Sequence, residues 1–403
     1  MRGNGSPCLN SFDMPQPGSP VQPVIQSRKL AFVRQKFSRF GGGELILNRT
    51  IEALAKRGAE VAIVAREWEP HEGVAFHRCD PARSPRSTRD TRFAKAACEI
   101  VRNMPGVLVQ SHERMACCDI YRAGDGVHAA YLEHRARGIG PVRRFFQKMS
   151  GYHRDVLRLE REMFASPRLK AVIVNSQMVA DEIASHFGYP RERIHPIPNG
   201  IDLARFDEAS LARLRGETRR RLGIPEHRKA LVIVGSGYER KGVAQAIEAL
   251  ARSKTGAALL VIGHEKRVSR YRAIAKRLGI ADDVRFLGRQ ENVLPYLASA
   301  DVMILPSIYD PFPSATLEGF AAGLPVITSD ACGARDIARE LDPGLVRDAN
   351  DIAGLGDAIK IALALSEKPE TAKRARDIAA RFDMDLMVER MLALYETVSA
   401  PES

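Results

Sequence analysis

Residues 301–330 read DVMILPSIYDPFPSATLEGFAAGLPVITSD, and this stretch decides the fold class. Two short apolar runs, at residues 302–305 and 325–328, predict two buried strands. Between them Ser314 is placed to cap a helix that ends at Gly323. A strand, a helix and another strand in this order predict a right-handed crossover between parallel strands.

Two acidic residues lie beside the start of this predicted helix. Ligands of parallel α/β sheets bind outside the carboxyl ends of the strands, so the loop at residues 307–313 is expected to face a cleft. Asp310 lies on this loop and Glu318 one turn into the helix, and a carboxylate can accept hydrogen bonds from sugar hydroxyls. The start of a helix also favours an anion such as phosphate. Taken alone, such a pair is also typical of a solvated surface.

Composition indicates a folded protein with an acidic partner. The chain has 403 residues and a hydrophobic fraction of 45%, which is enough for two or three domains with cores. Its net charge of +12 favours nucleic acid, an anionic membrane or a phosphorylated substrate. The six cysteines form no CxxC pair and no set spaced with histidine, so we predict neither a zinc site nor a disulfide framework. Reduced thiols are the expectation.

The first segments predict a disordered extension followed by an ordered sheet. Residues 1–27 are rich in Pro, Gly, Ser, Gln and Asn and lack the apolar region of a signal peptide. Order is expected to begin at Lys29 with a strand, followed by the loop SRFGGGE at residues 38–44 and a helix. Glycines at 41–43 would let backbone N–H groups approach a phosphate, although an ordinary flexible turn has the same composition.

Asp125 is the candidate side chain in the middle of the first half. It lies between Gly124 and Gly126 in DIYRAGDGV, after a predicted strand, where a carboxylate can face a substrate. A turn aspartate that bonds its own backbone is the alternative.

The stretch at residues 135–161 contains eight Lys or Arg residues, two acidic residues and interleaved aromatics. Arg143, Arg144 and Lys148 beside Phe145 and Phe146 indicate a basic amphipathic helix for anionic lipid. A solvated helix packed on its own domain is the alternative. No segment approaches about 18 uninterrupted apolar residues, so no membrane span is predicted.

The second half repeats the alternation of strands and helices. Strands are predicted at residues 230–234, 259–262, 284–287, 302–305 and 326–328, which indicates a second doubly wound sheet. GSGYERKG at 235–242 follows the first of them. Its Arg240 and Lys241 suit a diphosphate, because Arg forks across oxygens and Lys adds a point charge. An exposed basic turn is the alternative.

These segments together resemble the retaining family-four glycosyltransferases, which are GT-B enzymes that use nucleotide-sugar donors. The Asp310 to Glu318 spacing resembles their Glu-x7-Glu signature with Asp in the first position, and HPIPNGIDLARF at 195–206 resembles their interdomain hinge. GSGYERKGV is similar to the version found in lipopolysaccharide-core heptose glucosyltransferases.

The resemblance implies an α/β GT-B fold with two Rossmann-like, doubly wound domains that face a central cleft. After the extension at 1–27, it implies an acceptor-side domain at 28–198 and a nucleotide-sugar-binding domain at 199–383. Residues 384–403 are expected to form a helix that crosses back to the first domain.

The resemblance also implies roles for the candidate residues. Arg240 and Lys241 would stabilise the departing nucleoside diphosphate, and Asp125 would orient or deprotonate the acceptor hydroxyl. The implied donor-binding set is Gly42, Gly43, Arg240, Lys241, Arg289, Asp310, Ser314 and Glu318. Within it, Arg289 lies near the base, Glu318 at the ribose and Asp310 at the donor sugar.

The implied reaction moves a hexose from a nucleoside diphosphate sugar to a lipopolysaccharide-core or other lipid-linked saccharide, without a metal or other cofactor. UDP-glucose is the first choice of donor, and a different glycan made from a donor such as GDP-mannose is the alternative. The enzyme is expected in the cytoplasm, peripherally on the inner face of the membrane.

Two other classes fit the sequence less well. A dinucleotide-dependent dehydrogenase should show GxGxxG followed by an acidic residue about 20 positions on, and neither half of this sequence does. A nucleic-acid-binding protein would explain the charge, but no recognition motif is present, so nucleic acid is not an expected partner.

Overall fold

A computed structural model of the chain describes residues 29–35, 42–68, 73–82, 85 and 87–399. The predicted extension at 1–27 and the glycine loop through Gly41 lie outside these residues. Within them the chain forms two parallel sheets covered by helices on both faces. The predicted α/β class with two doubly wound units is therefore confirmed.

The first sheet has seven parallel strands in the order β3-β2-β1-β4-β5-β6-β7. These are β1 (Lys29–Val33), β2 (Glu60–Ala65), β3 (Val74–Arg78), β4 (Val107–Ser111), β5 (Ile120–Arg122), β6 (Ala171–Val174) and β7 (Ile194–Pro196). In register, Leu30 of β1 lies between Val61 of β2 and Leu108 of β4. The strand order reverses at β1, which places a ligand-binding crevice at the carboxyl ends of β1 and β4.

The second sheet repeats this topology with six parallel strands in the order β10-β9-β8-β11-β12-β13. They are β8 (Ala230–Val234), β9 (Ala258–Ile262), β10 (Val284–Gly288), β11 (Val302–Leu305), β12 (Val326–Ser329) and β13 (Val346–Arg347). The corresponding crevice lies at the carboxyl ends of β8 and β11.

Helices connect and cover the strands. In the first half they are α1 (Gly42–Lys56), α2 (Arg89–Arg102), α3 (His128–Arg137), α4 (Pro141–Met149), α5 (Gly151–Phe164) and α6 (Gln177–Phe187). In the second half they are α7 (Glu208–Leu222), α8 (Tyr238–Lys241), α9 (Val243–Ser253), α10 (Val268–Arg277), α11 (Leu294–Ser299), α12 (Ser314–Ala321), α13 (Arg335–Leu341), α14 (Ile352–Ser366), α15 (Pro369–Ala380) and α16 (Met384–Ser399). None of the helices described here is long and apolar enough to cross a membrane.

Side chains of β1 alternate between two buried clusters, as a strand covered on both faces requires. Ala31 and Val33 face the cluster that α2, α5 and α6 cover. Leu30 and Phe32 face the opposite cluster, which includes residues of α1 and α16. The ring of Tyr395 on α16 meets Phe32 edge-on, with centroids 6.3 Å apart. The last helix therefore packs on the first sheet.

Two segments of the chain cross from one sheet to the other, and they lie side by side. The Ile201 N–H donates to the Phe382 carbonyl at 2.9 Å, and the Met384 N–H donates to the Ile201 carbonyl at 3.1 Å. These paired crossings join the two halves beside the segment that resembles a hinge. The exact domain limits stay a prediction.

Several strands lack a sequence signal of their own. We did not predict β3, β7 or β13 as strands, and β5 is only three residues long. Four of the five residues of β3 are exposed at the sheet edge, and its apolar run, VAF at residues 74–76, is only three residues long. β7 lies partly within the segment at 195–206 that resembles an interdomain hinge. Short and edge strands are specified by pairing with neighbours, which local composition does not show.

The expectation that all cysteines are reduced is wrong for one pair. Cys98 on α2 and Cys117, in the loop before β5, form a disulfide across 19 residues, with Cα atoms 5.7 Å apart. Cys79, Cys118 and Cys332 are buried free thiols. The packing of α2 brings the paired sulfur atoms together, so their spacing in the chain gave no sign of it.

Candidate active site

A cleft of about 880 Å³ lies where the carboxyl ends of the two sheets meet. The first half contributes the loop after β5 with Asp125 and side chains of α3 and α5. The second half contributes Arg240 from the segment after β8 and Asp310 from the loop after β11. The cleft thus brings together three residues that we selected from separate parts of the sequence.

Asp310 binds both predicted cations. Its Oδ2 accepts hydrogen bonds from Nη1 of Arg240 at 2.6 Å and from Nζ of Lys241 at 2.7 Å. The side chains of Asp310 and Lys241 are 7% and 9% exposed, whereas that of Arg240 is 42% exposed. Burial opposes ionisation of Asp310, but the charges of Lys241 and Arg240 outweigh it and hold the pKa of the carboxyl below its ordinary value. The trio carries one net positive charge, and Arg240 is the cation open to solvent.

Glycine lets the segment after β8 approach the loop after β11. The one-turn helix α8 ends at Gly242, which has φ of 74°. A Cβ at this position would lie 2.0 Å from the carbonyl oxygen of Pro306, so no larger residue fits. The GSGYERKG segment is therefore shaped by this close contact, which sets Arg240 and Lys241 beside Asp310.

Asp125 occupies the opposite wall of the cleft. It is exposed and stands between glycines directly after β5. Gly126 has φ of 70°, and a Cβ there would lie 2.3 Å from the hydroxyl oxygen of Tyr309. The loop that carries Asp125 is thus packed tightly against a residue of the second half.

Ser314 does not cap α12. Pro313 is the N-cap residue, and no side chain caps the helix. Ser314 is instead the first helical residue, and its Oγ accepts a long hydrogen bond of 3.5 Å from Nδ2 of Asn199. Pro313, whose ring fixes its φ angle, takes the N-cap position, so the helix begins at Ser314 itself. The prediction that Ser314 caps this helix was therefore wrong.

Glu318 and Arg289, two further predicted donor-binding residues, are not among the described residues that line this cleft. Burial raises the pKa of Glu318, although the charge of Arg205 opposes that shift. Arg289 is exposed directly after β10. Gly42 and Gly43 open the first turn of α1, which begins three residues before the predicted start. The donor-binding roles of these residues stay predictions.

A group of side chains on the wall that carries Asp125 was not predicted. The cleft is lined there by Arg114, His128, Tyr131, Tyr152 and His153. The centroids of His128 and His153 are 5.1 Å apart, and their Nε2 and Nδ1 atoms share a hydrogen bond of 2.9 Å. No motif joins these residues, because α3 and α5 bring them together from separate parts of the chain.

Of the two histidines in this wall, His128 is held neutral. Burial, together with the positive charges of Arg114 and His153, lowers the pKa of His128 to about 3. Arg114 is itself paired, since its Nε donates to the buried Glu160 at 2.9 Å. The wall therefore presents the neutral imidazole of His128, tyrosine rings and hydrogen-bonding groups, whereas the opposite wall carries one net positive charge. Such a cleft suits a sugar on one side and a phosphate on the other.

Among the described residues there is no group of three or more His, Cys, Asp or Glu side chains that could hold a metal ion.

Two family models together match most of the chain. Residues 40–205 match Glycosyltransferase Family 4, and residues 215–380 match Glycosyl transferases group 1. The first match covers the half with Asp125, and the second covers the half with Arg240, Lys241 and Asp310.

Individual relatives agree with these models. The chain is 28% identical to the lipopolysaccharide glucosyltransferase WaaG of Escherichia coli K12, over 75% of this chain and 81% of the relative. It is 25% identical to the lipopolysaccharide core biosynthesis glycosyltransferase LpsE of Rhizobium meliloti, over 89% of this chain and 96% of the relative.

Solved structures show the same fold. The crystal structure of WaaG superposes with a TM-score of 0.76 at 25% identity and covers 90% of this chain and 98% of WaaG. Anabaena HepE in complex with UDP-glucose has a TM-score of 0.67, covering 92% of this chain and 99% of HepE, but is only 18% identical and shows the fold alone. The chain therefore belongs to the GT-B glycosyltransferases, with a Glycosyltransferase Family 4 domain followed by a Glycosyl transferases group 1 domain.

Proposed function

We propose that this glycosyltransferase moves a hexose, with glucose favoured, from a nucleoside diphosphate sugar to a lipopolysaccharide-core or other lipid-linked saccharide, with retention of the anomeric configuration. The observation that carries the proposal is the net positive charge of Arg240, Lys241 and Asp310, which lie opposite Asp125 across one cleft. The names of WaaG and LpsE support the choice of glucose and of a lipopolysaccharide acceptor.

On the donor side, the leaving diphosphate develops negative charge that fixed cations stabilise. Arg240 can contact the diphosphate directly in the cleft. Lys241 is buried behind it and contributes by neutralising Asp310, so that the cluster keeps a net positive charge. The remaining donor contacts assigned by this proposal are Gly42 and Gly43 at the start of α1, Ser314 at the start of α12, Glu318 at the ribose, Asp310 at the donor sugar and Arg289 near the base.

Retention is proposed to proceed by departure of the diphosphate from the same face that the acceptor attacks. A covalent route requires a free carboxylate nucleophile beside the anomeric carbon. Asp310, the buried carboxylate on the donor side, is already bound to two cations. A carboxylate in such a pair is a poor nucleophile, because its charge is neutralised, so assistance by the leaving diphosphate is favoured.

On the acceptor side, Asp125 orients the attacking hydroxyl or accepts its proton. The exposed position of Asp125 leaves it accessible to an acceptor that enters from solvent. The neutral rings of His128, Tyr131 and Tyr152 line the same wall and can pack against the apolar face of a sugar.

Isothermal titration with UDP-glucose, UDP-galactose, UDP-N-acetylglucosamine, GDP-mannose, NAD and an oligonucleotide tests this proposal. We expect UDP-glucose to bind and to be hydrolysed slowly without acceptor, while NAD and the oligonucleotide do not bind. Binding of GDP-mannose alone would replace glucose in the proposal.

EDTA should leave hydrolysis of the donor nearly intact, because Arg240 and Lys241 supply the charge that a metal supplies in other enzymes. Complete loss of hydrolysis with EDTA, restored by Mg²⁺, would contradict the metal-free route.

A peripheral contact with anionic membrane is proposed for α4, on the cytoplasmic face where the acceptor would be anchored. The basic stretch at 135–161 forms parts of three helices. Of these, α5 buries Val156 and Leu159 in its own domain. By contrast, α4 leaves its large apolar side chains in solvent, at 67% for Val142, 59% for Phe145, 66% for Phe146 and 59% for Met149. Exposed apolar residues beside Arg143, Arg144 and Lys148 are typical of a helix that lies in a membrane interface.

Replacing Arg143, Arg144 and Lys148 by Glu should abolish sedimentation with phosphatidylglycerol vesicles at low salt while donor hydrolysis continues. Each basic residue contributes about 1 kcal/mol at an anionic surface. High salt should release the unmodified protein, because the Debye length falls from about 10 Å to about 3 Å.

The matched control replaces Arg270, Lys276 and Arg277 of the exposed helix α10 by Glu. This variant has the same change in net charge but lacks the neighbouring exposed aromatics, so it should still sediment. Normal vesicle binding by the α4 variant, or equal loss in both variants, would show that α4 is an ordinary solvated helix.

A further inference from the structure

Tyr309 belongs to the second half of the chain by sequence and to the first half by packing. It precedes Asp310 in the loop after β11. Its side chain is 2% exposed and lies in the same buried cluster as Val127 and Val179 of the first half. Its ring contacts the rings of Tyr131 and His134 on α3, at centroid distances of 6.2 Å and 5.8 Å.

The hydroxyl of Tyr309 makes two hydrogen bonds in this buried place. It donates to Oε2 of Glu182 on α6 at 2.6 Å. It accepts from the backbone N–H of Val127 at 2.9 Å. Val127 is two residues after Asp125, so one hydroxyl connects the acceptor-side loop to the residue beside Asp310. A buried hydrogen bond of this kind is costly to break, because both partners are left without water.

The rest of the loop after β11 is held from both sides. The carbonyl of Pro311 accepts a hydrogen bond of 2.7 Å from Oγ of Ser176, the residue before α6. On the other side, the N–H of Ile308 donates to the carbonyl of Arg240 at 2.9 Å. The loop that carries Asp310 is therefore fastened to α6 at two points and to the cation segment at a third.

A second contact across the cleft is weaker. Nη2 of Arg135 lies 3.7 Å from Oε1 of Glu239, with side chains 30% and 52% exposed. Exposed ion pairs at this distance contribute little and are screened by salt. Of these contacts, the buried hydrogen bonds of Tyr309 and of the Pro311 carbonyl are able to set the distance between the halves, and the bond from Val127 to Tyr309 is the one that ends on the loop with Asp125.

We propose that Tyr309 is a positioning residue that joins the two halves of the active site, because its hydroxyl holds residues 124–127 of the acceptor side at a set distance from Asp310 and Arg240 on the donor side. The inference rests on the proposed function in one respect, which is that Asp125 faces the acceptor hydroxyl. Tyr309 itself touches neither substrate in this scheme. It acts by fixing where Asp125 stands when the donor is bound.

Removing the hydroxyl should loosen the acceptor loop without emptying the donor site. A misplacement of about 1 Å at a reacting centre costs up to about 100-fold in rate. In Tyr309→Phe we therefore expect kcat for transfer to fall by about 10- to 100-fold while KM for the donor stays within about threefold. Hydrolysis of the donor by water should take a larger share of turnovers, since water does not depend on Asp125 being placed against an acceptor.

Hydrogen exchange provides a readout that does not depend on activity. The Val127 amide should exchange faster in Tyr309→Phe, because its acceptor has been removed. Tyr189→Phe is the matched control: it removes a buried hydroxyl that donates to the Leu169 carbonyl at 2.9 Å, within the first half and away from the cleft. This control should lower stability but leave both the Val127 exchange and the ratio of transfer to hydrolysis unchanged.

Two variants of Glu182 keep the test decisive if Tyr309→Phe does not fold. Burial raises the pKa of Glu182 to about 7, against the opposing hydrogen bond from Tyr309. A neutral amide is therefore a close substitute at neutral pH, and Glu182→Gln should keep the ratio of transfer to hydrolysis. Glu182→Ala removes the acceptor and should lower that ratio as Tyr309→Phe does.

The possible results separate the two hypotheses. If the unmodified protein neither binds nor hydrolyses nucleotide sugars, the proposed function fails, whatever the Val127 amide does. If it is active, unchanged Val127 exchange in Tyr309→Phe, an unchanged ratio of transfer to hydrolysis, or an equal effect in Tyr189→Phe would overturn the role of Tyr309.

Discussion

Replacing Lys241 by alanine is expected to lower the turnover of sugar transfer by about two to three orders of magnitude, the usual effect of removing one group that stabilises charge in the transition state. The structure adds a second consequence. Lys241 is 9% exposed and bound to the buried Asp310, and removing one partner of a buried ion pair costs about 3 to 5 kcal/mol of stability. Turnover and melting temperature should therefore both fall.

A double variant separates these two effects. Lys241→Ala combined with Asp310→Asn removes the unpaired buried charge, so it should recover much of the lost stability. Turnover should stay low, because the double variant lacks both Lys241 and the Asp310 carboxylate that the proposal places at the donor sugar. Recovery of both quantities would show that the Lys241 and Asp310 pair only supports the fold.

Arg240→Ala should also lower turnover by about two to three orders of magnitude, because it removes one group that stabilises charge in the transition state. Its loss of stability should be smaller than that of Lys241→Ala. Its side chain is 42% exposed, so Asp310 keeps its better buried partner when Arg240 is removed. Rate measurements at saturating donor, with melting temperatures in parallel, distinguish the two cations. Transfer at the normal rate in either single variant would contradict the assignment of the diphosphate site.

Replacing Asp125 by asparagine is expected to lower transfer by about 10²- to 10⁴-fold, the range that a positioned acid or base contributes. Asparagine has nearly the same shape but cannot accept a proton, so binding of acceptor should change less than kcat. Hydrolysis of the donor should continue, because the cations on the opposite wall are unaffected. The measurement compares transfer and hydrolysis in one reaction mixture.

The matched control for Asp125→Asn is Asp357→Asn on the exposed surface of α14. Asp357 pairs with Lys360 at 3.1 Å and is not among the described residues that line the cleft. It should have normal transfer and hydrolysis. Loss of hydrolysis together with transfer in Asp125→Asn would show that this residue serves the donor site or the fold, and the acceptor assignment would then be wrong.

Much of the architecture was predictable because parallel sheets that are buried on both faces require continuous apolar strands. The strand at residues 107–111 was predicted with the bounds that the structure has, and the strands at 230–234 and 302–305 agree equally well. The two parallel sheets confirmed the fold class, and the matches of both halves to glycosyltransferase models confirmed the family. The helix at residues 314–321 was predicted, but its cap was not, since Pro313 took the position assigned to Ser314.

The candidate residues were predictable one by one, but their arrangement was not. Arg240, Lys241, Asp310 and Asp125 were selected from glycine-rich segments and strand ends, where chemistry is expected in this type of sheet. The family resemblance implied that Asp310 would bind the donor sugar. In the structure its carboxylate is also the counter-ion of both cations, a contact between residues about 70 positions apart.

Local patterns of residues were enough to predict the two doubly wound sheets, the family and the charged residues at the strand ends, because apolar runs, turns and motifs are properties of neighbouring residues. Four features became visible only in the folded protein: the placement of Tyr309 in the first half, the wall around His128, the exposure of α4 and the pairing of Cys98 with Cys117. Each of these depends on contacts between segments that are distant in the chain. Such contacts are selected by packing of whole elements against each other, and no local pattern of residues specifies them.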